Sequence, residues 1–256
     1  MTEGRPRTLG VLVVALAFIA TAVSTLFAQA TLVRFTRDRR PQDRAWCIAL
    51  ALFALASAAL SVGVSTGWDD ATFRIFYLLG AVVNVPWLAL GTVYVVAGRK
   101  VGSRVQIGVV FFSGLAAGVV FAAPIIGVPV SGVEIPAGSD VFGALPRIMA
   151  AIGSGVGAAV IFGGAVLSSW RFARASTTPG NAMRATANAC IALGTIVLSS
   201  GGLAQGVAGK DQAFVASLAI GICIIYAGFV LSAAATTRSL SAETQLSASS
   251  TAISAS

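Results

Sequence analysis

The segment FRIFYLLGAVVNVPWLALGTVYVVA, residues 73–97, decides the fold class of this chain. Arg74 is its only charged residue, and a helix needs about 20 mainly apolar residues to cross roughly 30 Å of bilayer hydrocarbon. The segment is therefore predicted to be a transmembrane helix. The whole chain has the same character, because 57% of its 256 residues are hydrophobic and 10% are charged, against about 25% charged residues in a typical soluble domain.

Seven segments of this kind predict an all-α, polytopic membrane protein built as a bundle of seven transmembrane helices. The predicted spans are residues 9–30, 46–66, 73–97, 105–123, 147–170, 185–206 and 213–236. They form one transmembrane domain, residues 9–236, after a short extracytoplasmic N-terminus, residues 1–8. Residues 237–256 are rich in Ser, Ala and Thr, which predicts a disordered cytoplasmic tail. The Pro- and Gly-rich residues 124–146 predict an irregular outer connector, with a small hairpin over residues 128–135 as the alternative.

The distribution of positive charge predicts the orientation, because Lys and Arg are retained on the cytoplasmic side. The connectors after the first, third and fifth spans, together with the tail, hold twelve Lys and Arg residues, and the opposite side holds five. A multi-pass plasma-membrane protein with its N-terminus outside follows. Five arginines of the first inner connector are expected to contact anionic lipid headgroups. They are Arg34, Arg37, Arg39, Arg40 and Arg44.

Missing residue types exclude several kinds of chemistry. The chain contains no histidine, which removes histidine-bound haem or zinc and any Ser–His dyad. No Asp or Glu lies in the middle of a predicted span, which argues against an intramembrane carboxylate relay. Its three cysteines, Cys47, Cys190 and Cys223, fall on three different spans. No cofactor, metal or nucleic-acid partner is therefore expected.

The third span carries a polar and aromatic stripe at helical spacing. Tyr77, Asn84, Trp87 and Tyr94 fall on one face, and Pro86 is expected to kink the helix beside them because it has no backbone N–H. A narrow ligand-binding cavity lined by these four side chains is one hypothesis, and Asn188 and Ser199 would complete it if the sixth span packs opposite. The alternative is interhelical hydrogen bonding, worth about 0.6 kcal/mol per contact.

Small residues at four-residue spacing predict close helix packing. The expected contact positions are Gly114 and Gly118 on the fourth span, and Gly153, Gly157 and Gly163 on the fifth. Packing within the chain is the first interpretation, and a homodimer interface is the alternative.

Two arginines at the outer ends of their helices are expected to form ion pairs, because an unpaired cation at the apolar boundary is costly. Arg74 is expected to pair with Asp70 or Asp140, and Arg147 with an acid of the outer connectors. Snorkelling into water is the simpler alternative.

Two runs of sequence resemble a set of uncharacterised seven-span integral membrane proteins from actinobacteria. They are FRIFYLLGAVVNVPWLALGTVYVV, residues 73–96, and VFGALPRIMAAIGSGVGAAVIFGGAVLSSWR, residues 141–171. The resemblance implies a plasma-membrane location and carries no activity or site.

Three classes of function are compatible with this sequence. A non-enzymatic membrane module, acting as an accessory or assembly partner of an envelope protein, ranks first. A small permease or binder for an apolar or zwitterionic solute ranks second. A lipid- or quinone-modifying enzyme ranks third, because no acid–base constellation is visible.

Overall fold

The computed structural model describes residues 7–126, 134–174, 181–208 and 211–254. All elements in these ranges are helical, and an isolated bridge pairs Ile125 with Phe142. The helices are α1 Arg7–Asp38, α2 Pro41–Thr66, α3 Asp70–Phe76, a π-helical segment Tyr77–Val83, α4 Asn84–Ala122, α5 Gly138–Val141, α6 Ala144–Arg174, α7 Asn181–Ala208 and α8 Asp211–Ser254. The all-α prediction is confirmed for this part of the chain. The alternative hairpin over residues 128–135 falls largely outside the described residues.

Five helical runs of the described chain are long and apolar enough to cross a bilayer. They are Val11–Asp38, Pro41–Thr66, Asp70–Ala122, Ala144–Arg171 and Ala213–Ser232, and a shorter apolar helix covers Ala182–Leu198. Large apolar side chains cover their outer faces, with Ile107 and Phe111 more than 70% exposed. A surface of this kind matches a lipid environment.

The run Asp70–Ala122 folds back on itself at Gly98, whose φ of 80° and ψ of 175° break the helix. The two arms of this hairpin lie antiparallel. Tyr94 donates its hydroxyl hydrogen to Gln106 Oε1 at 2.7 Å, and Trp87 Nε1 donates to Ser113 Oγ at 3.2 Å. The sequence predicts a connector at residues 98–104, but the helix resumes directly after Gly98.

The turn between α1 and α2 is similarly short. Helix α1 continues to Asp38, and α2 begins at Pro41. Proline is favoured as the first residue of a helix, because the N–H that it lacks would have no helical acceptor there. The helices therefore extend through most of residues 31–45, which the sequence leaves between two predicted spans. Arg39 and Arg40 form the turn, while the other arginines of the first cluster lie on the two helices.

The helices pack in a closed order. Helix α2 packs between α1 and α4, α6 packs between α4 and α7, and α8 packs against both α7 and α1. A large apolar cluster at one end includes Phe73, Leu60, Val120 and Phe142. It joins the start of the hairpin, its end and the connector after it.

The structure differs from the composition-based prediction at the C-terminal tail, residues 237–256. Helix α8 continues to Ser254, where Ser, Ala and Thr content predicts disorder. No Gly or Pro follows Gly228 in the given sequence, so no helix-breaking residue interrupts the part of α8 after it.

Candidate functional site

The centre of the first hairpin arm is a π-helical segment, Tyr77–Val83, followed by Pro86. The backbone N–H of Asn84 donates to the carbonyl of Leu79, five residues earlier. Pro86 has no N–H, so a carbonyl of the preceding turn loses its helical donor. In the same turn, the hydroxyl of Ser154 on α6 donates to the carbonyl of Ala81. The sequence predicts a kink at Pro86, and the structure has a π-helical segment directly before it, a feature frequent at functional sites.

Two glycines of α6 allow this helix to approach the π-helical segment closely. A Cβ added at Gly153 would collide with the carbonyl oxygen of Val82, and one at Gly157 would lie 2.8 Å from Val85 Cγ1. The other predicted packing positions, Gly114, Gly118 and Gly163, have no atom within 4 Å of an added Cβ. Close approach within the chain therefore occurs at Gly153 and Gly157.

Asn84 is the polar side chain buried beside this break. It is 8% exposed, and its Oδ1 atom accepts no hydrogen bond from any described residue. A buried amide oxygen without a donor is costly, at about 1–3 kcal/mol. An unfilled acceptor at this depth can receive an N–H or O–H group from a bound molecule.

The three aromatic members of the predicted stripe each have their own contacts. The Tyr77 ring packs against Phe73 and Phe142 at centroid distances of 5.9 and 5.1 Å. Trp87 and Tyr94 donate across the hairpin, as described above. Tyr77 and Tyr94 are about 25 Å apart along the helix at 1.5 Å per residue. The stripe is thus spread along the arm, and its centre is Asn84.

The two predicted residues of the sixth span lie on α7, which packs against α6 and α8. Asn188 Nδ2 donates to the carbonyl of Arg184 on its own helix at 2.9 Å. The side chain of Ser199 lies outside the described residues. The structure therefore gives no contact between Asn84 and this pair.

Arg74 closes the end of the hairpin opposite Gly98. It is 8% exposed, and its Nε lies 3.1 Å from Asp70 Oδ1. Its Nη1 donates to the carbonyl of Val120 and, at 2.9 Å, to that of Ala123. A cation at these terminal carbonyls is favourable because they carry the negative end of the helix dipole.

The other two residues of the predicted outer mouth are exposed. Asp140 accepts a hydrogen bond from Ser139 Oγ at 3.0 Å. No carboxylate of the described chain lies within 4.0 Å of the Arg147 guanidinium. Of the predicted pairs, the structure thus forms the one between Arg74 and Asp70.

Asp43, in the first turn of α2, is a buried charged residue that sequence reasoning missed. Its side chain is 0% exposed and lies 3.6 Å from Arg34 Nη2, and neither of its oxygens accepts a hydrogen bond from a described residue. The Arg34 guanidinium also lies 4.8 Å from the ring centroid of Phe229 on α8. The sequence carries no signal of this burial, because it depends on how the neighbouring helices cover the start of α2.

The other arginines of the first cluster also have partners within the protein. Arg37 and Arg40 lie 3.5 and 3.9 Å from the carboxylate of Asp38. Arg44 donates to Gln106 Oε1 at 2.8 Å. Acidic and amide side chains thus neutralise or engage part of the cluster that the sequence assigns to lipid headgroups.

Comparison with known protein families, curated proteins and solved structures gave no match for this chain. Within the described ranges, no group of three His, Cys, Asp or Glu side chains could hold a metal ion. In its described residues the chain is a helical protein whose long apolar helices are of the kind that spans membranes.

Proposed function

We propose that this chain is a seven-span plasma-membrane protein, with its N-terminus outside and its C-terminus in the cytoplasm. The fold-back at Gly98 supports the count, because it divides Asp70–Ala122 into two antiparallel apolar arms. The apolar helix Ala182–Leu198 supplies a further span. Charge asymmetry supports the orientation, and the Arg- and Ala-rich composition supports the likeness to actinobacterial membrane proteins.

Its proposed role is that of a non-enzymatic membrane module, an accessory or assembly partner of another envelope protein. The hydrogen bonds of polar side chains inside the bundle support this proposal. Ser24, Thr31 and Thr195 bond to the backbone of their own helices at 2.7, 3.0 and 2.7 Å, and Ser154 bonds to the neighbouring π-helical segment. The Ser154 bond joins two helical elements, and the other three hydroxyl hydrogens are satisfied within their own helices. These polar side chains are thus used for the structure of the bundle, as in a structural module.

Accessibility labelling tests the topology. The three native cysteines are replaced by alanine, and single cysteines are introduced at Thr36 and, as a matched exposed position in the outer connector, at Ser139. An impermeant maleimide is expected to label Ser139→Cys in intact cells. It is expected to label Thr36→Cys only after the cells are permeabilised. The reverse pattern would invert the proposed orientation.

Copurification tests the role. Mild-detergent extracts of the tagged full-length chain are expected to contain another membrane protein at a fixed ratio. Elution of the chain alone, as a monomer or homodimer, would overturn the accessory role.

A small-molecule binder is the second candidate, favoured by the unfilled acceptor of Asn84. Its ligand would be an apolar or zwitterionic solute with an N–H or O–H group for Asn84 Oδ1. Thermal unfolding in detergent, with leucine, glycine betaine and choline as probes, is expected to show stabilisation by at least leucine, the probe whose N–H groups can reach this acceptor and whose side chain is apolar. Asn84→Leu should abolish that stabilisation, while Asn188→Leu should retain it.

The same variant separates the two candidates. If Asn84 only packs, Asn84→Leu should raise stability, because an unpaired buried amide is replaced by an apolar side chain at a gain of about 1–3 kcal/mol. Unchanged unfolding of the parent protein with every probe would contradict the binder for these ligand classes.

A further inference from the structure

An open groove lies between the end of α6 and the start of α7, apart from the sites described so far. It has a volume of about 690 Å³ and is lined mainly by apolar side chains, from Val166 to Trp170 on α6 and from Ala185 to Ile196 on α7. From Ala185 to Ile196 the groove follows α7 for about 16 Å at 1.5 Å per residue. That length matches one leaflet, which is half of the roughly 30 Å hydrocarbon thickness.

Small residues form part of the groove wall on α7. Ala185, Ala189 and Ala192 recur at spacings of four and three, so they share one helix face. Ser169 Oγ donates to the carbonyl of Ala185 at 3.2 Å and ties the two helices together at one end. The result is a trough of acyl-chain length with one fixed end.

The fixed end of the groove is cationic. Arg171 and Arg174 occupy the last turn of α6 and are exposed. The guanidinium carbon of Arg174 lies 3.9 Å from the ring centroid of Trp170, a groove residue. This stacking places a positive charge beside the groove.

Neither helix of the groove supplies an acid to neutralise that charge. The chain has no Asp or Glu between Val141 and Lys210. In contrast, the arginine cluster at the α1–α2 turn has Asp38 and Asp43 as partners. The end of α6 is therefore the better site for an external anion.

We propose that this groove binds one anionic glycerophospholipid of the cytoplasmic leaflet. One acyl chain occupies the trough, and the phosphate contacts Arg171 and Arg174. An apolar trough beside two exposed cations that form no ion pair with the carboxylates of the described residues fits such a lipid, because its two chemical parts are matched by adjacent surfaces. The assignment to the cytoplasmic leaflet rests on the proposed topology, whereas the site itself does not.

Native mass spectrometry of the full-length protein in dodecyl maltoside tests the site. Dioleoylphosphatidylglycerol is titrated against dioleoylphosphatidylcholine, which has the same chains and no net charge. Each arginine is expected to contribute about fivefold in affinity for the anionic lipid, because a Lys or Arg near an anionic surface contributes about 1 kcal/mol. Arg171→Gln/Arg174→Gln should therefore weaken phosphatidylglycerol binding about 30-fold and bring it close to that of phosphatidylcholine.

Two controls identify the location. Arg99→Gln/Lys100→Gln removes the same charge from exposed positions beside the Gly98 turn and should leave the lipid preference unchanged. Ala189→Phe fills the trough and should weaken the binding of both lipids, with the arginines intact. Size-exclusion elution and helical circular dichroism equal to those of the parent protein establish that each variant is folded.

Several results would overturn the proposal. Equal binding of the two lipids by the parent protein would mean that only ordinary boundary lipid is present. A similar loss in the Arg99→Gln/Lys100→Gln control, or no effect of Ala189→Phe, would place the lipid elsewhere. Binding in detergent requires no orientation, so inverted labelling at Thr36 would refute the topology and leave the lipid site standing.

Discussion

Replacement of Gly153 by alanine tests whether α6 rests directly on the backbone of the π-helical segment. The added methyl group would meet the carbonyl oxygen of Val82, which is backbone and cannot rotate away. Helix α6 must then shift, and overpacking of this kind costs typically about 1–3 kcal/mol. The shift also weakens the hydrogen bond from Ser154 to Ala81, worth about 0.5–1.5 kcal/mol. Against this, alanine is the better helix former by about 1 kcal/mol.

The matched control is Gly155→Ala, two residues along the same helix, where an added Cβ meets no atom within 4 Å. It carries the same gain in helix propensity without the collision. The difference in unfolding free energy between the two variants therefore isolates the contact, and we expect about 1–4 kcal/mol in favour of Gly155→Ala. Reversible unfolding in mixed dodecyl maltoside and SDS micelles, followed by circular dichroism, measures it. Equal stability of the two variants would refute the close approach of α6.

Three further predictions concern charged groups. Arg34→Gln should destabilise the protein by up to about 3 kcal/mol, since it removes the ion-pair partner of buried Asp43, and adding Asp43→Leu should restore the stability; a neutral single variant would contradict this. Arg74→Gln should cost about 2–4 kcal/mol through lost charged hydrogen bonds, while Arg147→Gln should stay within about 0.5 kcal/mol; thermal unfolding in detergent compares them. Asp69 accepts hydrogen bonds from the backbone N–H and the hydroxyl of Thr72 at the start of α3, and these bonds lower the pKa of Asp69. The stabilising effect of its carboxylate should therefore be complete above about pH 4 and be lost as the pH falls. Asp69→Ala should lack that acid-dependent loss, and identical pH profiles would refute it.

Hydropathy was enough to predict the helical class, because the bilayer requires long apolar helices and the residues supply them. It could not predict where the helices end. Hydropathy detects the part of a helix that lies in hydrocarbon, whereas Arg99 and Lys100 continue a helix beyond it. The turns at Gly98 and at Arg39 are consequently much shorter than the predicted connectors.

The break in the third predicted span was only partly predictable. Pro86 signals that a carbonyl of its own helix loses its donor, and this can be inferred from the sequence of that helix without knowing its neighbours. The π turn also depends on Ser154 and Gly153, which lie on a helix whose packing partner the sequence does not specify. The burial of Asp43 has the same origin, because it depends on how α1 and α8 cover the start of α2.

The reversal at Gly98 has a consequence for how the protein enters the membrane. With no loop between them, the two arms of the hairpin cannot be inserted independently and joined later. Trp87 and Tyr94 donate to Ser113 and Gln106 across the hairpin, so pairing of the two arms satisfies these polar groups. We expect the two arms to enter a membrane as one unit, with the basic residues 99–104 held at one membrane surface.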